Sequence, residues 1–97
     1  MNHPIFRIEE FRQISTFELW IRFDDGSERT VDFSRVLSGP LYGPLADPHV
    51  FSGAVLDNEI GTITWPNGAD FDPMILHDWP TWEERFIEAN HRREVAA

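Results

Sequence analysis

The stretch from Thr62 to Leu76, T-I-T-W-P-N-G-A-D-F-D-P-M-I-L, leaves a folding chain few choices. Thr62 to Trp65 has the β-branched and aromatic character of a short strand. Pro66 has no amide hydrogen to give to a sheet, so the strand stops at Trp65. Asn67-Gly68 tolerates the left-handed backbone of a tight corner. Asp72-Pro73 then opens a helical turn through Leu76, because a carboxylate satisfies free amides and proline suits the first helical position. Trp65 is expected to fill the core and Asp70 to bond backbone amides. The competing reading of Trp65, Pro66, Asn67, Gly68 and Asp70 is a recognition loop.

Other segments supply the rest of an α+β domain. Phe17, Leu19, Ile21 and Phe23 alternate with Glu18, Trp20 and Arg22, the period of a strand buried on one face. Asp25-Gly26 makes the next turn a hairpin, and Glu28 to Phe33 returns as its partner. Ile5 to Arg12 reads as a preceding strand, although Glu9-Glu10 breaks its alternation. Ser34 would cap a short helix over Arg35 to Ser38, stopped by Gly39-Pro40, with loop from Leu41 to Leu45. Asp47-Pro48 starts a helical turn anchored by Phe51. Ala54 to Asp57 and Thr62 to Trp65 pair around Asn58 to Gly61. The expectation is a small antiparallel sheet of about five strands, a meander plus a second hairpin, with short helices and a C-terminal helix. Residues 1–80 form the α+β domain; residues 81–97 form a helical tail, begun by a Thr81/Glu84 capping box and either packed on the domain or frayed.

Charge narrows the function. The chain carries 17 acidic residues against 8 basic ones, all arginine, for a net charge of −9. Residues 34–80 hold a single arginine, Arg35, against six acids. Nucleic-acid affinity depends on cations neutralising phosphates, so direct DNA or RNA binding is disfavoured and a basic partner favoured. No apolar run approaches a membrane span and no leader pattern opens the chain, so a cytoplasmic protein is expected. The chain has no cysteine, which removes disulfides and thiolate chemistry.

Catalytic and metal chemistry find little to work with. Lysine is absent too, and no nucleophile motif or phosphate loop occurs, so an uncharacterised hydrolase or metal enzyme ranks behind a binding role. Asp70, Asp72, His77 and Asp78 crowd together, but their spacing fits no zinc or calcium loop, and no cofactor is expected. His3, His49 and His91 are scattered and read as solvent-facing. Trp20 points away from the core face of its strand, so either the tail covers it with Trp82 and Phe86 or a partner does. An amphipathic helix must dock somewhere, which favours the tail.

Three runs carry a family resemblance: Phe17 to Ser34 (F-E-L-W-I-R-F-D-D-G-S-E-R-T-V-D-F-S), Pro44 to Phe51 (P-L-A-D-P-H-V-F) and Gly61 to Pro73 (G-T-I-T-W-P-N-G-A-D-F-D-P). Over roughly residues 5–78 the chain resembles the small bacterial family known as domain of unknown function 2442. The resemblance implies an antiparallel α+β domain and a gene neighbourhood like that of toxin–antitoxin pairs. Some members of that family continue into a helix-turn-helix; the tail here is too short for one. No catalytic residues carry over. The expected function is therefore a non-catalytic acidic protein-binding module, the antitoxin-like or regulatory partner of a small basic protein encoded nearby. Asp47, Asp57, Glu59, Asp70 and Asp72 would steer the encounter, with Trp20, Trp82 and Phe86 as the apolar contact. A self-associating sensor, a homodimer holding a small ligand between sheet and helices, is the alternative.

Overall fold

Strand β2 (Glu18–Phe23) is the middle of a three-stranded antiparallel meander, between β1 (Ile8–Ser15) and β3 (Glu28–Asp32). The computed structural model describes residues 6–95, with side chains as far as Glu88. As the alternation requires, Leu19, Ile21 and Phe23 are fully buried, while Glu18, Trp20 and Arg22 lie half-buried on the opposite face. Gly26 closes the β2–β3 turn at φ +86°, a conformation costly for any residue with a Cβ. Strand β1 starts later than the sequence suggests and runs to Ser15. Glu9-Glu10 falls in a register shift between Ile8 and Glu10, where a bulge absorbs the residue that broke the alternation. Ile5 lies outside the described residues.

The second hairpin, β4 (Val55–Asp57) and β5 (Thr62–Thr64), does not extend the meander. The five expected strands are present, but in two sheets. Each strand of this hairpin has three residues, too few to carry a ladder on either side. The sheets touch where the Ile8 amide donates to the Gly61 carbonyl at 2.9 Å.

The helices differ from expectation at four places. Residues 34–36 form a turn, not the expected helix over Arg35 to Ser38, and the Ser34 amide donates to Asp32 Oδ1 at 2.9 Å. Helix α1 (Gly39–Tyr42) begins at the Gly39-Pro40 pair that was expected to end one, because proline's fixed φ also suits a first turn. A 3-10 turn (Gly43–Ala46) follows where loop was expected, and then α2 (Pro48–Phe51), capped by Asp47 as anticipated. Helix α3 (Pro73–His77) is capped by Asp72. Helix α4 (Trp79–Val95) starts ahead of Thr81, whose amide donates to the Asp78 carbonyl at 3.0 Å, so Thr81 belongs to the first turn rather than capping it. Pro80 is accommodated there because first-turn amides have no helical partner.

These elements meet on one aromatic cluster. The Phe33 ring, just past β3, lies 5.1–6.0 Å from the rings of Phe51, Trp65, Phe71 and Trp79. Phe71 extends the cluster to Tyr42 at 4.6 Å and to Phe86 of α4 at 5.9 Å. Two buried polar groups are satisfied inside it. The Trp65 indole N–H donates to the Phe51 carbonyl at 2.8 Å, and the Thr62 hydroxyl to the Phe71 carbonyl at 2.6 Å. Removing either donor strands a buried carbonyl. Thr62→Val, which keeps the shape, should therefore lose about 1–3 kcal/mol in urea unfolding. Trp65→Phe should lose at least as much, since it also leaves space. A Thr62→Val midpoint indistinguishable from the parent would contradict the bond's importance.

Candidate functional site

The acids expected to steer a partner are distributed over separate turns. Asp47 Oδ1 accepts from the His49 amide at 2.9 Å, and Asp72 Oδ1 from the Met74 amide at 2.8 Å. Asp57 Oδ1 closes the β4–β5 turn, accepting from the Glu59 amide at 2.9 Å and the Ile60 amide at 3.3 Å. Glu59 and Asp70 are exposed. Apart from the Glu59 amide bonding Asp57 Oδ1 within one turn, no hydrogen bond or ion pair joins any two of these five among the described residues. They form an acidic exterior, not a convergent site.

The Trp65–Asp70 loop has a folding reason at most positions. Trp65 and Ala69 are buried, and the Trp65 amide donates to the Ala69 carbonyl at 2.9 Å. Gly68 turns the corner at φ +88°. The amide-bonding role expected of Asp70 belongs to Asn67, whose Oδ1 accepts from the Ala69 amide at 3.1 Å and whose Nδ2 donates to the Leu41 carbonyl at 3.0 Å. Asn67 reaches back to its own turn, as its short amide allows. The Asp70 carbonyl accepts from the Tyr42 hydroxyl at 2.9 Å. Burial, and then the Asp70 charge, push that phenol's pKa upward.

Of the Asp70, Asp72, His77 and Asp78 group, the structure keeps only His77 and Asp78 together, and adds Asp25 from the β2–β3 turn. His77 Nε2 lies 3.0 Å from Asp25 Oδ2, and Nδ1 lies 3.2 Å from Asp78 Oδ1. The imidazole stacks on Phe6 at 3.8 Å and meets Phe23 edge-on at 5.0 Å. Arg29 Nε donates to the His77 carbonyl at 2.8 Å. Asp25 is separated from His77 by 52 positions, so spacing alone gave no sign of it. With each ring nitrogen facing a carboxylate, the imidazole ties the sheet to α3. Among the described residues no group of three His, Cys, Asp or Glu side chains is arranged to hold a metal ion.

The open face of the meander is the more distinctive surface. Register places Glu10, Arg22 and Glu28 in one cross-strand row, Arg12, Trp20 and Thr30 in the next, and Ser15, Glu18 and Asp32 in the third. Trp20 is the central residue. Its indole N–H donates to Glu28 Oε1 at 2.9 Å, and the Arg12 guanidinium sits 5.3 Å from the ring centroid. Among the described residues no ring contact joins Trp20 to Trp82 or Phe86. Phe86 packs instead beside Tyr42, Phe71 and Trp79, because the aromatic cluster offers far more apolar contact than one tryptophan on a charged face. Trp82 lies half-buried under Arg85 at 4.7 Å.

Helix α4 borders a surface cleft of about 770 Å³, lined by Arg35, Pro80, Glu83, Glu84, Ile87 and Glu88. At the start of the helix, Trp79 is 4% exposed and its Nε1 has no hydrogen-bond partner.

The architecture defines a small α+β domain: an antiparallel meander and a separate hairpin closed by short helices over one aromatic core. The chain belongs to the family described as protein of unknown function (DUF2442), whose model matches residues 8–80, from the start of β1 into the first turn of α4. No curated protein and no solved structure matches it. No helix among the described residues is long and apolar enough to cross a membrane.

Asp25 has a testable ionisation. The Ser27 hydroxyl at 2.6 Å and the Ser27 amide at 3.0 Å both donate to its Oδ1, and with a smaller contribution from His77 they outweigh burial. Its pKa falls to about 2 from an ordinary 3.8. A depressed carboxylate contributes stability above its unfolded pKa and loses it as pH drops through the folded value. The contribution should therefore disappear between about pH 4 and pH 2. Carboxyl NMR should find the Asp25 midpoint near 2 and see Ser27→Ala move it upward; an unshifted midpoint in the parent would refute the assignment.

Proposed function

We propose that this protein is a non-catalytic, acidic protein-binding module, an antitoxin-like or regulatory partner of a small basic protein encoded nearby, acting in the cytoplasm. One observation carries the reading: the acid excess sits on the exterior without cations to match it. Asp47, Asp57, Glu59, Asp70 and Asp72 have no cation within ion-pair distance among the described residues, whereas Glu9 and Glu10 are paired with Arg12 and Arg22. Three of the five already serve as caps, and capping leaves the charge in place. A field of one sign accelerates the encounter with an oppositely charged partner. Apolar contacts then set how long the complex lasts. Masking of the basic partner is the proposed mechanism, and the paired gene setting implied by the family resemblance agrees with it.

The self-associating sensor is the second reading. The interval between sheet and helices is filled by Phe33, Phe51, Trp65, Phe71 and Trp79, so a ligand there would have to displace the core. The cleft along α4 is the concavity such a ligand would use instead.

Co-expression with the neighbouring gene product should yield a complex at low salt. Its association rate should fall by about tenfold or more as ionic strength rises from roughly 0.02 to 0.5 M, with a smaller change in dissociation. Failure to capture that product at low salt would overturn the proposal.

A further inference from the structure

The outer face of the meander carries a more specific assignment, which rests on the protein-binding reading and names the surface and chemistry involved. We infer that the face centred on Trp20 is the docking surface for an arginine-bearing segment of the basic partner, with the indole ring receiving a guanidinium and Glu18, Glu28 and Asp32 pairing with its neighbours.

The three cross-strand rows hold four carboxylates, Glu10, Glu18, Glu28 and Asp32, against two guanidinium groups, Arg12 and Arg22. Both arginines are already committed: Arg12 to Glu10 at 3.3 Å, and Arg22 to Glu10 at 3.0 Å and Glu9 at 3.9 Å. Glu18, Glu28 and Asp32 have no cation within ion-pair distance among the described residues. Their hydrogen bonds come from neutral donors, the Ser15 hydroxyl, the Trp20 indole and the Ser34 amide. Opposite residues lie about 5 Å apart across a sheet and alternate residues about 7 Å apart along a strand, so these carboxylates surround the ring at ion-pairing reach of one bound segment.

Trp20 is prepared for a cation. Its N–H is fixed by Glu28, which sets the ring plane, and the free protein already places a guanidinium over it. That guanidinium belongs to Arg12, whose side chain is 71% exposed and therefore displaceable. Arg12 thus acts as an internal stand-in for the partner's residue. Other occupants fit less well. Two copies of this face would bring like charges together, nucleic acid would be repelled by the same carboxylates, and the tail packs against the aromatic core.

The test uses the full chain and a blocked peptide of alternating arginine and threonine, about eight residues long, which in extended form presents its cations on one face. Binding is measured at low salt beside a citrulline version, which keeps the shape and removes the charge. The parent should bind the arginine peptide at least about tenfold more tightly than the citrulline one. Trp20→Ala should lose most of that affinity and Trp20→Phe should retain part of it, the latter serving if the alanine variant misfolds. The triple change Glu18→Gln, Glu28→Gln, Asp32→Asn should weaken binding by about tenfold, whereas Asp24→Asn, Glu83→Gln, Glu84→Gln, removing the same charge elsewhere, should change it less than about threefold. Arg12→Ala should tighten it. Equal losses from the two triples, or full affinity in both Trp20 variants, would overturn this surface while leaving the binding module intact. A parent that ignores the peptide yet captures the neighbouring gene product would overturn the arginine-on-indole chemistry alone. Failure of both would remove the module with it.

Discussion

Packing of the Phe33 ring against four other rings, edge-on to Trp65 and tilted to Phe51, Phe71 and Trp79, is the contact on which the fold depends. Phe33 follows the last residue of β3, and its neighbours come from α2, the end of β5, the segment before α3, and the start of α4. A three-stranded meander alone leaves one apolar face wet, and a three-residue hairpin cannot stand by itself. The aromatic cluster solves both problems by giving the two sheets and the helices a common floor. Such rings contribute through buried area and through geometry, each well-placed pair adding roughly 0.5–1.5 kcal/mol beyond area. In a domain whose total stability is on the order of 5–10 kcal/mol, that margin decides whether the chain folds.

The interior and the exterior then divide the labour. Inside, the Trp65 indole and the Thr62 hydroxyl are bonded to backbone carbonyls, while the Trp79 indole N–H has no partner. Outside, short helices and tight turns need acceptors for exposed amides, and aspartate supplies them at positions 47, 57 and 72. The helix caps Asp47 and Asp72 each stabilise their first turn by about 1 kcal/mol, and all three aspartates leave a negative charge in water. The acidic surface is thus partly a by-product of building a domain from many short elements. What distinguishes the meander face is its tryptophan, a large apolar group that the core does not use.

The legible parts of the sequence were those governed by local rules. Strand β2, the Asp25-Gly26 turn, the caps at Asp47 and Asp72 and the Trp65 hinge each follow from a few adjacent residues. The misread positions required knowledge of what lay across the fold. Gly39-Pro40 is as consistent with a helix start as with a stop, and only the neighbouring packing separates the two. The two sheets stay apart because β4 and β5 end after three residues, a limit set by Pro66 on one side and the turns on the other. His77 and Asp25 meet across 52 positions, a pairing with no local signature. Trp20 showed its direction in the alternation of β2, but its companions Arg12 and Glu28 come from the flanking strands, and the tail's preference for the aromatic core was invisible until the rings were placed.

The central claim is that the core tryptophans build the scaffold while Trp20 meets the partner. The indole N–H resonances of a nitrogen-15-labelled chain, recorded before and after addition of the proposed basic partner, test it most directly. The account predicts that Trp20 shifts or broadens on complex formation while buried Trp65 and Trp79 keep their positions. A complex that leaves the Trp20 resonance unmoved, or one that perturbs Trp65 and Trp79 instead, would contradict it.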